Sequence, residues 1–223
     1  MNDHFTPASP TIGVVIPAYN EADNLAPVLT ATSRSDWLSQ IVIVNDGSTD
    51  NTAAVVNKHM ANEPRMQLID LAGNYGKAGA MLAGVQHLQT DIVIFLDADL
   101  MNLNPQHIRD LQAPVTERNA EMSIALFQRG RLRTNLSHRL TPNLSGQRCL
   151  WREAAEQILL PAADSRFGAE MTLTRFAKRH GWRIERVYWL GVSHRTKEEK
   201  RRGLPRFSSR WEMYREIAGV LSH

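Results

Sequence analysis

One cysteine, Cys149, stands among 223 residues, so the chain can form no internal disulfide and a cytosolic protein is the default expectation. No apolar run approaches the roughly 20 residues that a membrane-spanning helix needs. The opening MNDHFTPASP has neither the basic start nor the apolar stretch of a secretory leader, so none is expected there. Internal repeats and low-complexity linkers are missing as well. Two phosphate-binding signatures are absent too. GNYGKAGA has the wrong spacing for a Walker A loop, and neither Ser nor Thr follows Lys77. No GxGxxG follows the first apolar run, which argues against a dinucleotide dehydrogenase.

What is present reads as one globular domain with a sizeable core. The net charge is +3 but uneven. Residues 194–223 hold eight Lys/Arg against four Asp/Glu, and the rest of the chain holds 18 against 19. The basic end is either a solvated terminus or a contact for a polyanion.

Apolar runs end repeatedly in polar clusters. TIGVVIPAY reads as a buried strand, and NEADNLAPVLTAT as a helix with Leu25, Val28 and Leu29 on one face. Pro27 requires that helix to begin near Asp23, because first-turn amides have no intrahelical partner. IVIVN and MQLIDL are further strands, and TAAVVNKHM is a helix between them. GNYGKAGAMLAGVQHL reads as a glycine-bearing loop entering a helix, and DIVIFLDADL as a fourth strand. Beyond residue 115 the pattern is less regular: MSIALF and RIERVYWLGV suit strands, REAAEQIL and EMTLTRFAKRH helices. This alternation predicts an α/β fold, an open, mostly parallel sheet with helices on both faces. Ligands bind such sheets at the carboxyl ends of the strands, where PAYNE, NDGSTD, GNYGK and DAD all fall.

The pair Asp97 and Asp99 cannot be buried without a cation or solvent, and a hard divalent cation on phosphate oxygens satisfies both. Two acidic turn residues capping MNLNPQHI would look the same. Asp46 either accepts hydrogen bonds from a base or ribose or simply forms the NDGSTD turn. Gly76 allows close backbone approach, and Lys77 either meets a phosphate or stays on the surface.

Together VVIPAYNEADNL, IVIVNDGSTDNT, GNYGKAGAM and VIFLDADL resemble, in order and spacing, the family 2 glycosyltransferases of GT-A (Rossmann-like) fold, strongly over residues 11–115. LSGQRCLWREA, GAEMTLTRFAKRHGWRIERV and GVSHRTKEEK extend the resemblance to about residue 200, toward polyprenyl-phosphate glycosyltransferases and glucosyl-3-phosphoglycerate synthases. The resemblance implies a metal-dependent, inverting transferase that uses a nucleotide-diphospho-sugar, such as a UDP- or GDP-sugar. The acceptor would be a polyprenyl phosphate or a small phosphorylated or hydroxyl compound. It implies that Pro17, Tyr19 and Glu21 line the nucleotide pocket, Asp46 holds the base, and Lys77, Asp97 and Ala98 meet the donor. Asp99 would hold Mg²⁺ or Mn²⁺ with Asp97. Met101 stands where the polyprenyl-phosphate enzymes carry a metal-holding Gln; a thioether serves a hard cation poorly. His194, which matches a metal-ligating histidine of the phosphoglycerate-type relatives, is the candidate for a further ligand. Glu170 is either a general base or an ordinary helix-start glutamate favoured by the helix dipole.

The implied organisation is a single domain, residues 1–223, with a nucleotide-sugar half at 11–115, an acceptor half at 116–193, and a basic flap with a C-terminal helix at 194–223. Lys200 and its neighbours would close on the diphosphate. Trp211, Tyr214, Ile217, Ala218 and Leu221 give the last helix one apolar face, to dock on the body of the protein, a second subunit, or the inner face of a membrane. A homodimer stays open, and no nucleic-acid partner is expected. Two other readings remain: a sugar nucleotidyltransferase, whose Gly-rich, Arg/Lys-bearing first loop PAYNEADN does not match, and an inactive nucleotide-sugar-binding relative.

Overall fold

Strand β1 (Ile12–Ala18) shows how this chain builds its core. Val14 and Ile16 pack on one face of the sheet and Val15 on the other, and all three are fully buried. A strand covered by helices on both sides has no solvent face, so its sequence is continuously apolar rather than alternating. β2 (Gln40–Asn45) and β4 (Ile92–Phe95) follow the same rule, with Ile residues toward one layer and mainly Val toward the other. The computed structural model describes residues 9–128, 145–162 and 168–195.

The remaining elements are α1 (Leu25–Ser33), α2 (Thr52–Met60), β3 (Met66–Asp70), α3 (Gly76–His87), β5 (Leu100–Met101), α4 (Pro105–Thr116), β6 (Met122–Gln128), β7 (Arg148–Trp151), α5 (Arg152–Leu159), α6 (Ala169–Arg179), β8 (Ile184–Leu190) and β9 (Ser193–His194). Seven strands form one sheet in the order β3-β2-β1-β4-β7-β6-β8, and β5 pairs with β9 in a separate two-stranded ladder. Within the large sheet only β7 runs against its neighbours. α1, α2 and α4 cover one face, and α3, α5 and α6 the other. The expected open, mostly parallel α/β sheet with helices on both faces is therefore present.

α1 begins at Leu25, so Pro27 lies in its first turn, where a missing N–H costs nothing. α4, β7 and the β5–β9 ladder were not anticipated from the sequence. α4 carries strong local signals: Pro105 at its start and a reciprocal capping box between Asn104 and His107. The fourth strand is shorter than DIVIFLDADL suggests. β4 stops at Phe95, and the Leu96 amide makes a last bond to the Val15 carbonyl at 3.1 Å. The chain then turns out, and Leu100–Met101 pairs with Ser193–His194 instead.

From β1 the chain winds to β2 and β3 on one side, then crosses to β4 on the other. The strand order thus reverses between β1 and β4, and such a switch point opens a crevice at the carboxyl ends of the two strands.

Candidate active site

Two loops are stitched together at one side of that crevice. Asn20 adopts a left-handed conformation (φ 55°), which asparagine tolerates better than most residues. Its amide donates to Ser48 Oγ at 2.9 Å, and its side chain accepts from the Thr49 amide at 2.8 Å. The Glu21 amide donates to Thr52 Oγ1 and the Ala22 amide to Asp50 Oδ2. PAYNE and NDGSTD are thereby one rigid unit.

Asp46 closes the next wall of the cleft. Its buried carboxylate accepts from the Tyr75 amide at 2.7 Å, tying the end of β2 to the start of α3. Burial raises its pKa, and the amides of Tyr75 and Gly76 offset part of that rise. Gly47 has φ +69°, and a Cβ there would lie 2.5 Å from the Gly73 carbonyl carbon, so the close approach of these loops requires glycine.

Beyond β4 five ionisable side chains meet: Lys77, Asp97, Asp99, Glu170 and His194. Lys77 Nζ is 2.5 Å from Asp97 Oδ1 and 2.5 Å from Glu170 Oε1. His194 Nδ1 donates to Asp99 Oδ1 at 3.0 Å, because a carboxylate can only accept; its Nε2 lies 3.8 Å from Asp97 Oδ2. The β5–β9 ladder, which faces Leu100 with His194, brings that histidine to Asp99 across 95 residues of chain. Ring contact with Phe127, centroids 4.9 Å apart, holds the imidazole from the other side.

The charges act on one another. Burial pushes the Asp97 carboxyl upward, but Lys77 and His194 outweigh it, so its pKa is lowered. Burial pulls the Lys77 ammonium downward, and Asp97 and Glu170 more than reverse that. Burial also lowers the His194 imidazole, while its bond to Asp99 and the two carboxylate charges raise it on balance. Ligand atoms of Asp97, Asp99 and His194 all lie within 4.8 Å of one another. Two carboxylates and one imidazole are a suitable donor set for Mn²⁺, and the oxygens suit Mg²⁺, so the residues fit a divalent cation.

Pro17 is half-buried in β1 opposite Val44. Tyr19 is exposed at the mouth of the cleft, whereas Ala98 is buried. Glu21 Oε2 accepts from Asn24 Nδ2 at 2.6 Å. Glu170 is engaged by Lys77 and so stands as an ion-pair partner in this state. Lys200, the basic flap beyond Arg195 and the C-terminal helix lie outside the described residues. Sequence reasoning missed Gln147, Arg148 and Arg195. Arg148 is fully buried beside Thr174, and burial lowers its pKa to about 10. Arg195 joins the two ends of the site, with its amide on the Asp99 carbonyl and its guanidinium on Asp23 and Asn24. An arginine heading the short apolar stretch CLW was the one visible signal for Arg148.

The family model described as "Glycosyl transferase family 2" matches residues 13–179. Dolichyl-phosphate beta-glucosyltransferase of Trichomonas vaginalis is 33% identical over 104 residues, 43% of this chain and 31% of that protein. Undecaprenyl-phosphate 4-deoxy-4-formamido-L-arabinose transferase of Edwardsiella ictaluri is 41% identical over 97 residues, 41% of this chain and 30% of that protein. The chain therefore spans less than a third of the length of either relative. Glucosyl-3-phosphoglycerate synthase from Mycobacterium tuberculosis, solved with Mn²⁺, UDP and phosphoglyceric acid, superposes with a TM-score of 0.69 at 22% identity, over 86% of this chain and 74% of that one. At that identity the likeness is one of fold.

Proposed function

The chain belongs to glycosyl transferase family 2, and on that premise we propose that it moves a sugar from a nucleotide-diphospho-sugar to an acceptor, with inversion at the anomeric carbon. The observation that carries this reading is the Asp97–Asp99–His194 cluster beyond the end of β4, with the buried Asp46 just past the end of β2. Asp46 and the stitched loops hold the nucleoside, with Pro17, Tyr19 and Glu21 along the wall. Asp97, Asp99 and His194 would hold Mg²⁺ or Mn²⁺, and a bound cation would supply positive charge for the departing diphosphate. Lys77 is placed to supply a second positive charge there, more strongly in the transition state than before it.

Glu170 serves as base for a hydroxyl acceptor only after Lys77 releases it; an acceptor that is already an anion needs no base. Matched relatives are named for transfer to dolichyl and undecaprenyl phosphate, and solved neighbours carry UDP with phosphoglyceric acid or UDP-glucose with glycerol 3-phosphate. Phosphorylated acceptors of both kinds are the candidates, and UDP- and GDP-sugars the donors. The division into residues 11–115 for the donor and 116–193 for the acceptor is part of the same proposal. Among the described residues no helix is long and apolar enough to cross a membrane.

The test is incubation of pure protein with UDP-, GDP- and ADP-sugars and Mn²⁺, each acceptor class in turn. Release of free nucleoside diphosphate with a glycosylated product supports the reading. Release of pyrophosphate would instead mark a nucleotidyltransferase, and no turnover together with ligand-raised thermal stability an inactive binding relative.

A further inference from the structure

Ser145, Gly146 and Gln147 immediately precede β7 and reach the back of the Asp97 carboxylate. Gln147 is fully buried, and its Nε2 donates to Asp97 Oδ2 at 2.6 Å. Its Oε1 lies 2.9 Å from Ser145 Oγ, whose one proton is shared between that amide oxygen and the Ala125 carbonyl, 2.5 Å away. A carboxylate only accepts, so the amide must turn its NH₂ to Asp97 and its carbonyl to the hydroxyl. Lys77 holds the other oxygen, Oδ1, at 2.5 Å. The terminal torsion of an aspartate is broad and two-fold, so an unheld carboxylate would sample many orientations. Donors on both oxygens remove that freedom.

Gly146 makes the arrangement possible. A Cβ there would stand 2.4 Å from both Asp97 oxygens, although Gly146 is not in a left-handed conformation. The glycine therefore provides room for the carboxylate and not an unusual turn. The choice of an amide also has a reason. A second cation would cancel the charge of Asp97, whereas a neutral donor directs the lone pairs and leaves the negative charge available.

We propose that Gln147, oriented by Ser145 and given room by Gly146, is a positioning residue that sets the rotation of Asp97 toward a divalent cation shared with Asp99 and His194. This rests on the reading above only in that a cation binds at the cluster. Groups that orient metal ligands change affinity by about 10–100-fold when lost.

Calorimetric titration of the full chain with Mn²⁺ alone tests it, with Asp99→Ala as the reference for a destroyed site. Gln147→Met keeps the length and removes the donor; it should bind Mn²⁺ about 10–100-fold more weakly while keeping the wild-type circular dichroism spectrum and a cooperative melt. If that variant does not fold, Ser145→Ala decides, since it removes the hydroxyl shared by the Gln147 amide and the Ala125 carbonyl but keeps the Gln147 donor, and should weaken Mn²⁺ binding by a smaller factor. Wild-type Mn²⁺ affinity in a folded Gln147→Met or, failing that, in Ser145→Ala, with binding lost in Asp99→Ala, overturns the proposal and leaves the glycosyl-transfer reading standing. Weakened Mn²⁺ binding in a protein that turns over no nucleotide-sugar keeps the positioning role and rejects glycosyl transfer. Absence of Mn²⁺ binding in the wild type rejects the cation site and this inference together.

Discussion

Lys77→Met strands two carboxylates. Lys77 Nζ lies 2.5 Å from both Asp97 and Glu170, and its side chain is 38% exposed against 17% and 16% for theirs. Removing one partner of a buried pair costs about 3–5 kcal/mol, while an exposed pair contributes about 0–1 kcal/mol. Water reaches this lysine but hardly reaches the carboxylates, so a loss of about 2–3 kcal/mol is expected. In a domain of this size that lowers the thermal midpoint by about 5–10 °C. The melt is run at pH 7.5 with chelator, so that no cation replaces the ammonium. Adding Glu170→Gln to the variant removes one stranded charge, and the two changes together should cost at least about 1 kcal/mol less than their sum. The pH dependence has a definite sign. In the wild type the lowered pKa of Asp97 means that its contribution is present above the usual carboxylate range and is lost as the pH falls through the folded value. Without Lys77 the opposing burial dominates, so the deficit of the variant should shrink as the pH falls toward 4. A midpoint within about 1 °C of the wild type, or additive changes at Glu170, would refute this account of the cluster.

Asp99→Ala should leave the melt close to that of the wild type and lower metal-dependent turnover by at least about 100-fold, which steady-state release of nucleoside diphosphate measures. His194 must be unprotonated to hold a cation, and its pKa is raised despite burial, by Asp99 first. Mn²⁺ affinity should therefore climb with pH through a value above the ordinary ~6.5, and His194→Ala should flatten that climb in calorimetric titrations. The metal-free protein has the opposite dependence: the stabilising contribution of His194 is full below its unfolded pKa and fades as the pH rises through the folded one. Gly47→Ala forces a Cβ against the Gly73 backbone at φ +69° and should cost more than about 1 kcal/mol, read by urea unfolding, because it pushes the loop of Tyr75 off Asp46.

The sequence by itself determined the doubly covered sheet. Runs such as IVIVN and VIF, apolar at every position, fit only strands buried on both faces, and the helices between them made the sheet parallel. It also located one wall of the site, since polar clusters at strand ends must gather at one edge of such a sheet. α4 was missed although Asn104, Pro105 and His107 announce it, so that signal was local and went unread. β7 was out of reach for a different reason: four residues, RCLW, with a charge in front, show no period, and only the gap between β4 and β6 makes them a strand. The same is true of the chemistry that crosses the chain. Asp99 and His194 meet because a two-residue ladder joins segments 95 residues apart, and Lys77, Asp97 and Glu170 meet because α3, the end of β4 and the start of α6 converge. Residue types and local spacing set which groups can ionise or ligate. Which carboxylate is neutralised by lysine, which by histidine, and which is aimed by a buried amide depends on distances of about 3 Å that only the packed tertiary structure decides.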